Sequence, residues 1–238
     1  MIKRLVSALC AVSMIFVLLC GAAGQTVYTP KVFMYHLIEE EPFSQYESLF
    51  VRPADFEAQI IFMKEKNYNF LFAEEYAKTA TPSVILTFDD GYEDNYTEMF
   101  PILQKHQVKA TIFVVSDYIG HPGYLNDEQL REMSESGLVS IQSHTKSHKD
   151  LTKISEADIR TEFRYSKYMI GRITGRPVSA VSFPEGQYTD RILKISGEYF
   201  GRSYGTRPRP AAKGVANRAI PRQSVRRDLD WETFTQML

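Results

Sequence analysis

Short apolar or β-branched runs alternate with helix-like patterns along most of this chain, and that alternation constrains its fold more than any other feature. The runs are Val32–Tyr35, Val84–Phe88, Thr111–Val115, Val139–Gln142 and Ala180–Phe183. Near-continuous apolar strands are what a parallel sheet covered on both faces requires. Between the runs, residue spacing predicts helices over Pro53–Lys66, Asp94–His106, Asp127–Ser136 and Ser155–Thr174. Proline opens the first, where its missing N–H costs nothing, and Gly137 and Gly175 stop the last two. The fourth begins Ser-x-x-Asp and lines up Ile159, Phe163, Ile170 and Ile173 on one face. Weaker strands are expected at Phe70–Phe72, Arg202–Tyr204 and Ala219–Ile220. About seven strands alternating with helices in one α/β domain point to a barrel rather than an open sheet. Chemistry in such a barrel gathers where strands end and loops begin.

The first residues speak to compartment. Lys3 and Arg4 precede an uncharged apolar stretch from Leu5 to Cys20, which ends in Gly21, Ala22, Ala23 and Gly24. A charged head, an apolar middle and a small-residue exit make a secretory signal, so residues 1–24 are expected to direct export. Cleavage after Ala23 or Gly24, lipidation at Cys20 and retention as a membrane anchor are the three fates open to it. Both cysteines, Cys10 and Cys20, lie inside this segment. The domain expected over residues 25–238 therefore has no disulfide and depends on an ordinary core. Without Lys3 and Arg4 the formal charge moves from −1 to −3, a balance that argues against nucleic acid as a partner. One stretch departs from it. Between Arg202 and Arg227 there are eight basic residues and no acid, read either as a solvated loop or as a surface for an anionic wall polymer.

Two motifs carry chemistry. Asp89-Asp90-Gly91 follows the run Val84–Phe88 directly. Adjacent carboxylates at a strand exit raise each other's pKa unless a cation intervenes, and a turn at Gly91 can release both toward one cavity. A solvated Asp-Asp-Gly turn is the plain alternative. The second motif, His144-Thr145-Lys146-Ser147-His148, follows the run Val139–Gln142. Two histidines four apart share a face if the stretch turns helically, the spacing of metal ligands. One carboxylate and two imidazoles make a three-ligand set with open positions, the pattern of a catalytic zinc site that also suits other divalent metals. The remaining aspartate can then take a proton from an attacking water.

Thr87-Phe88-Asp89-Asp90-Gly91 and Ser143-His144-Thr145-x-x-His148 together resemble the first two motifs of the polysaccharide deacetylases (carbohydrate esterase family four, the NodB-like domain). The resemblance runs from about Val32 to the C-terminus. It implies a distorted (β/α)7 barrel in a single domain and hydrolysis of the N-acetyl group of N-acetylglucosamine or a related unit. It also implies Asp89 as base and Asp90, His144 and His148 as ligands of a divalent metal, zinc foremost, with cobalt, nickel or iron as alternatives. The third family motif is only partly present, as Ser182-Phe183-Pro184-Glu185-Gly186. Glu185 replaces the usual tyrosine, and its backbone N–H is expected to face the developing oxyanion. The arginine that usually orients the base is absent there, and Arg222 is the candidate substitute. Phe33-Met34-Tyr35-His36 resembles the opening of the branch that contains biofilm poly-N-acetylglucosamine deacetylases, whose barrel motifs look circularly permuted. His36 is accordingly the candidate acid for the leaving amine, against a structural histidine under a loop.

Asp228-Leu229-Asp230-Trp231 is read as a C-terminal helix start, with Asp228 as cap and Trp231 packing inward. Tyr92, Tyr96, Tyr118, Tyr124 and Tyr188 are expected to pack in the core or at the rim of a groove. The partner expected is an N-acetylated glycan outside the cell, with membrane attachment through residues 1–24 as an option. Two other functions keep part of this reading. One is a small amide or cyclic imide hydrolase on the same metal site, and the other a glycan-binding wall protein without catalysis.

Overall fold

The computed structural model describes residues 26–41, 47–206 and 219–238. The proposed signal segment, with Cys10 and Cys20, lies outside the described residues, as do Arg207, Arg209, Lys213 and Arg218 of the basic stretch. No helix among the described residues is long and apolar enough to cross a membrane.

The strands are β1 (Lys31–Tyr35), β2 (Leu37–Ile38), β3 (Phe50–Val51), β4 (Asn69–Phe70), β5 (Ser83–Asp90), β6 (Ala110–Val114), β7 (Val139–Ser143), β8 (Ala180–Ser182), β9 (Arg202–Tyr204) and β10 (Gln223–Ser224). The helices are α1 (Pro53–Glu65), α2 (Phe100–His106), α3 (Asp127–Glu135), α4 (Glu156–Thr174), α5 (Asp190–Ser196) and α6 (Trp231–Gln236). The main sheet is parallel and runs β10-β1-β5-β6-β7-β8-β9, with β4 pairing on β5 as a side branch. It curls until its edges meet. Ile220 bridges to Tyr204 of β9, and three residues later the same segment becomes β10 and pairs with β1. The expected strand at Ala219–Ile220 is thus reduced to a single bridge, and the ring of seven strands is distorted at this point.

Period-two alternation divides the strands between two packing layers. Val32, Ile85, Phe113, Ala180, Tyr204 and Ile220 pack together inside the curl. Phe33, Tyr35, Leu86, Phe88, Ile112, Ile141 and Val181 belong to the larger cluster between sheet and helices. On β5 this leaves Thr87 and Asp89 facing inward above Ile85. The same alternation on β1 directs Met34 and then His36 toward the mouth.

Local signals placed most helix ends. Ser155 caps α4 by accepting from Asp158 N, and Gly175 closes it in the left-handed conformation at φ 65°. The helix expected over Asp94–His106 is instead a π-helical turn, Asn95–Met99, followed by α2. Pro101 explains the break, since it lacks the N–H that a regular helix would need there. Asp230, not Asp228, caps α6, accepting from Thr233 N. Trp231 does not pack inward: it sits on the first turn, 48% exposed, edge-on to Phe62.

Candidate active site

The register of the sheet brings the chemical residues to one level. Asp90 pairs with Val114, Val114 with Ser143 and Ser143 with Val181, so Gly91, His144 and Ser182 leave their strands side by side. On the other flank Tyr35 pairs with Phe88, so His36 and Asp89 are also neighbours. Asp90 has φ 75°, which breaks strand alternation and lets both carboxylates face the mouth. Gly91 follows at φ 81° against Val114, whose methyls would lie 3.2 Å from any added Cβ.

His144 and His148 converge without a helix, contrary to the expected helical turn. Residues 144–150 form an irregular loop in which Thr145 (φ 70°) and His148 (φ 56°) are left-handed. Such backbone persists only where its surroundings fix it. Here the buried carboxylate of Glu162, from α4, accepts from Lys146 N at 2.9 Å, Ser147 N at 2.8 Å and Ser147 Oγ at 2.6 Å.

Ligand atoms of Asp90, His144 and His148 all lie within 4.8 Å of one another. Oδ1 of Asp90 stands 3.4 Å from Nε2 of each histidine, yet it is buried with no hydrogen-bond partner among the described residues. Two donors each about 2.1 Å from a tetrahedral ion lie about 3.4 Å apart, so the set fits a divalent cation. His144 is prepared for that role. Its Nδ1 lies 2.9 Å from the Ser182 carbonyl, which can only accept, so the proton sits on Nδ1 and the Nε2 lone pair faces the site. Burial also lowers the His144 pKa and favours the neutral ring.

Asp89 is 3% exposed and held by Arg222, itself 4% exposed. All five guanidinium N–H groups are used. They go to Asp89 Oδ1 (2.7 Å) and Oδ2 (2.6 Å), Ser182 Oγ (2.8 Å), Thr87 Oγ1 (3.1 Å) and the Gly205 carbonyl (3.3 Å). Burial alone would raise the Asp89 carboxyl. The Arg222 charge and its hydrogen bonds outweigh it and hold that carboxyl well below the usual range. Arg222, the candidate for orienting the base, is thus brought directly against Asp89.

A cavity of about 510 Å³ opens over these groups, with His36, Glu185, Tyr92, Tyr118 and Tyr124 in its walls. His36 Nδ1 is buried without a partner among the described residues, and Asn95 Nδ2 donates to the His36 carbonyl at 3.0 Å. Glu185 is exposed and left-handed at φ 55°. Gly186 beside it, at φ 66°, has no room for a Cβ against Thr206. Of the tyrosines, Tyr92 and Tyr124 stack at 5.2 Å, and Tyr118 leans on Tyr124 at 4.8 Å. Tyr96 instead packs on Phe100, and Tyr188 is buried against Phe183. The sequence assigns no role to Glu162, Ser182, Thr87 or Asn95. Thr87 and Ser182 nonetheless lie inside the quoted motifs, and Glu162 carries a signal of its own, an acid on the apolar face of a helical pattern.

A polysaccharide deacetylase family profile matches residues 76–200. The Bacillus subtilis protein YxkH is 34% identical over 188 residues, covering 76% of this chain and 65% of its own length. A Staphylococcus aureus poly-β-1,6-N-acetyl-D-glucosamine N-deacetylase is 27% identical over 193 residues, covering 72% of this chain and 66% of its own. The chain thus spans just under two thirds of the curated relatives it matches. A crystal structure of a polysaccharide deacetylase from Bacillus cereus superposes with a TM-score of 0.81 at 30% identity, covering 89% of this chain and 69% of that one.

Proposed function

This chain belongs to the polysaccharide deacetylase family, and on that premise we propose that it hydrolyses N-acetyl groups from N-acetylglucosamine-type units of an extracellular or cell-wall polysaccharide. The observation that carries the reading is the buried, unpartnered Oδ1 of Asp90, 3.4 Å from two imidazole nitrogens at the floor of an open cavity. Asp90, His144 and His148 would hold a divalent metal, zinc foremost, which supplies polarisation of the acyl oxygen and acidification of water.

The chain's own groups do the rest. Asp89, kept ionised by Arg222, takes the proton of the attacking water as its oxygen adds to the acyl carbon. The Glu185 backbone N–H is assigned to the acyl oxygen as charge develops there. His36 gives a proton to the amine as the C–N bond breaks, leaving acetate and a free amino sugar. Tyr92, Tyr118 and Tyr124 offer aromatic faces to the sugar rings. Poly-N-acetylglucosamine is the first substrate to try, given the named activity of the Staphylococcus aureus relative. The charged head and apolar run of residues 1–24 support export, followed by cleavage, lipidation or anchoring.

Purified protein supplied with zinc or cobalt should release acetate from acetylated β-1,6-glucosamine oligomers. Asp89→Asn should abolish release while bound metal, read by elemental analysis, is unchanged. Equal inertness of wild type and variant on β-1,6 oligomers, chitooligomers and peptidoglycan would overturn the enzymatic reading.

A further inference from the structure

Away from the cavity, the outer face of α4 and the turn after it carry a groove of about 500 Å³ lined by Arg164, Lys167, Arg172 and Arg176 with Tyr168 and Tyr199. Among the described residues no acidic side chain lines it. Four cations in one groove stand out in a chain whose formal net charge is −1.

Local causes account for only part of this. The C-terminal end of a helix favours cations, and Arg172 lies in the last turn of α4 with Arg176 just beyond. Arg164 and Lys167 lie too far back for that effect. Lys167 is fixed in the wall, donating to the Tyr199 carbonyl at 2.6 Å and lying 5.5 Å over the Phe200 ring. Arg160, one turn before Arg164, is paired with Glu198. The guanidinium groups of Arg164, Arg172 and Arg176 have no ion pair or side-chain hydrogen bond among the described residues. Nor can an undescribed acid supply one, because residues 1–25, 42–46 and 207–218 contain no Asp or Glu.

Beside these charges, Tyr168 leaves 62% of its surface in solvent. An exposed ring among unpaired guanidinium groups suits a ligand with both flat apolar faces and regularly placed anions. Val178 is buried and Tyr199 half-buried, so of the apolar side chains lining the groove only Tyr168 and Pro177 stand exposed, short of the stripe that a membrane-inserting face needs. We propose that the groove binds an acidic polysaccharide, with carboxylates along the strand pairing with the arginine forks and a sugar ring lying on Tyr168.

The placement permits binding and catalysis together. Residues 176–178 lead into the start of β8, while Ser182 at the end of β8 meets His144 and Asp89. The groove therefore lies toward the opposite end of the barrel from the metal ligands. A strand held there would tether the protein to an anionic matrix while the cavity stays open. The proposal does not depend on the deacetylase reading.

The test uses the full-length protein and fluorescent oligogalacturonate as probe. Binding should be measurable at low ionic strength and weaken steeply with added salt. Arg164→Gln/Arg172→Gln/Arg176→Gln should weaken it by about tenfold or more. Tyr168→Ala should weaken it several-fold while leaving the salt dependence unchanged. Melting midpoint and acetate release from a soluble neutral oligomer should match wild type in both variants. Should the triple variant misfold, Arg172→Glu alone should weaken binding by a few-fold. Wild-type affinity in the folded arginine variants would overturn the proposal. So would arginine-dependent binding to anionic phospholipid vesicles without binding to oligogalacturonate.

Discussion

Arg222 grips Asp89 through two parallel hydrogen bonds of 2.7 and 2.6 Å, although 133 residues separate them in the chain. The pair is buried on both sides, which makes it sensitive to the loss of either member. Arg222→Met should destabilise the fold by about 3–5 kcal/mol, because a buried carboxylate is left without its cation. Turnover should fall by roughly a hundredfold or more as the base loses orientation. With Arg222 gone, burial loses its main counterweight and the Asp89 carboxyl rises, so the acid limb of kcat/KM should move to higher pH. Urea denaturation and a pH–rate profile check both points. The double change Asp89→Leu/Arg222→Met should recover much of the stability and none of the activity. A single variant as stable as wild type would remove Arg222 from this role.

Metal retention should depend on a residue that touches no metal. Glu162 pins the left-handed loop that carries His148, so Glu162→Ala should weaken zinc affinity by about 10–100-fold. His148→Ala should lower occupancy further, since a ligand itself is removed. Competition with a chromophoric chelator measures both. Equal affinity of Glu162→Ala and wild type would show that the loop holds its shape unaided.

His36 should behave as an acid and not as a ligand. His36→Ala should slow turnover by roughly 10²–10⁴ with bound metal unchanged. A loss of less than a few-fold would return His36 to a structural role beside Asn95.

Asp94 should give the fold a pH-dependent term. It is 8% exposed, its carboxylate accepts from Ile38 N at 2.8 Å, and burial pushes its pKa up to about 8. The unfolded value is about 4, so between these limits the folded state binds the extra proton. Its stabilising effect is fully present below about pH 4 and is lost as pH rises through about 8. Asp94→Asn should therefore flatten the decline of melting midpoint with pH across that window. Parallel curves for wild type and variant would contradict this.

Much of the barrel could be read locally, because its cues are local. The five strong strand runs fall within one or two residues of β1, β5, β6, β7 and β8. Ser155 and Gly175 bound α4 as their types require. Misplaced features were those settled by competition among neighbours. Asp228 and Asp230 are both capping types, and only the final turn geometry selects Asp230. Pro101 is compatible with a first helical turn, and its position converts one expected helix into a π-helical turn and α2.

The site divides along the same line. From the amino acids alone came the Asp-Asp pair, the two histidines and their locations at strand exits, since chemistry and two-residue periodicity are properties of a short segment. Only the folded chain decided that the histidine loop is left-handed and braced by Glu162, that Ser182 sets the His144 proton, and that Arg222 faces Asp89. Those relations join segments remote in sequence. They arise from sheet register and loop closure, which no short stretch of residues encodes.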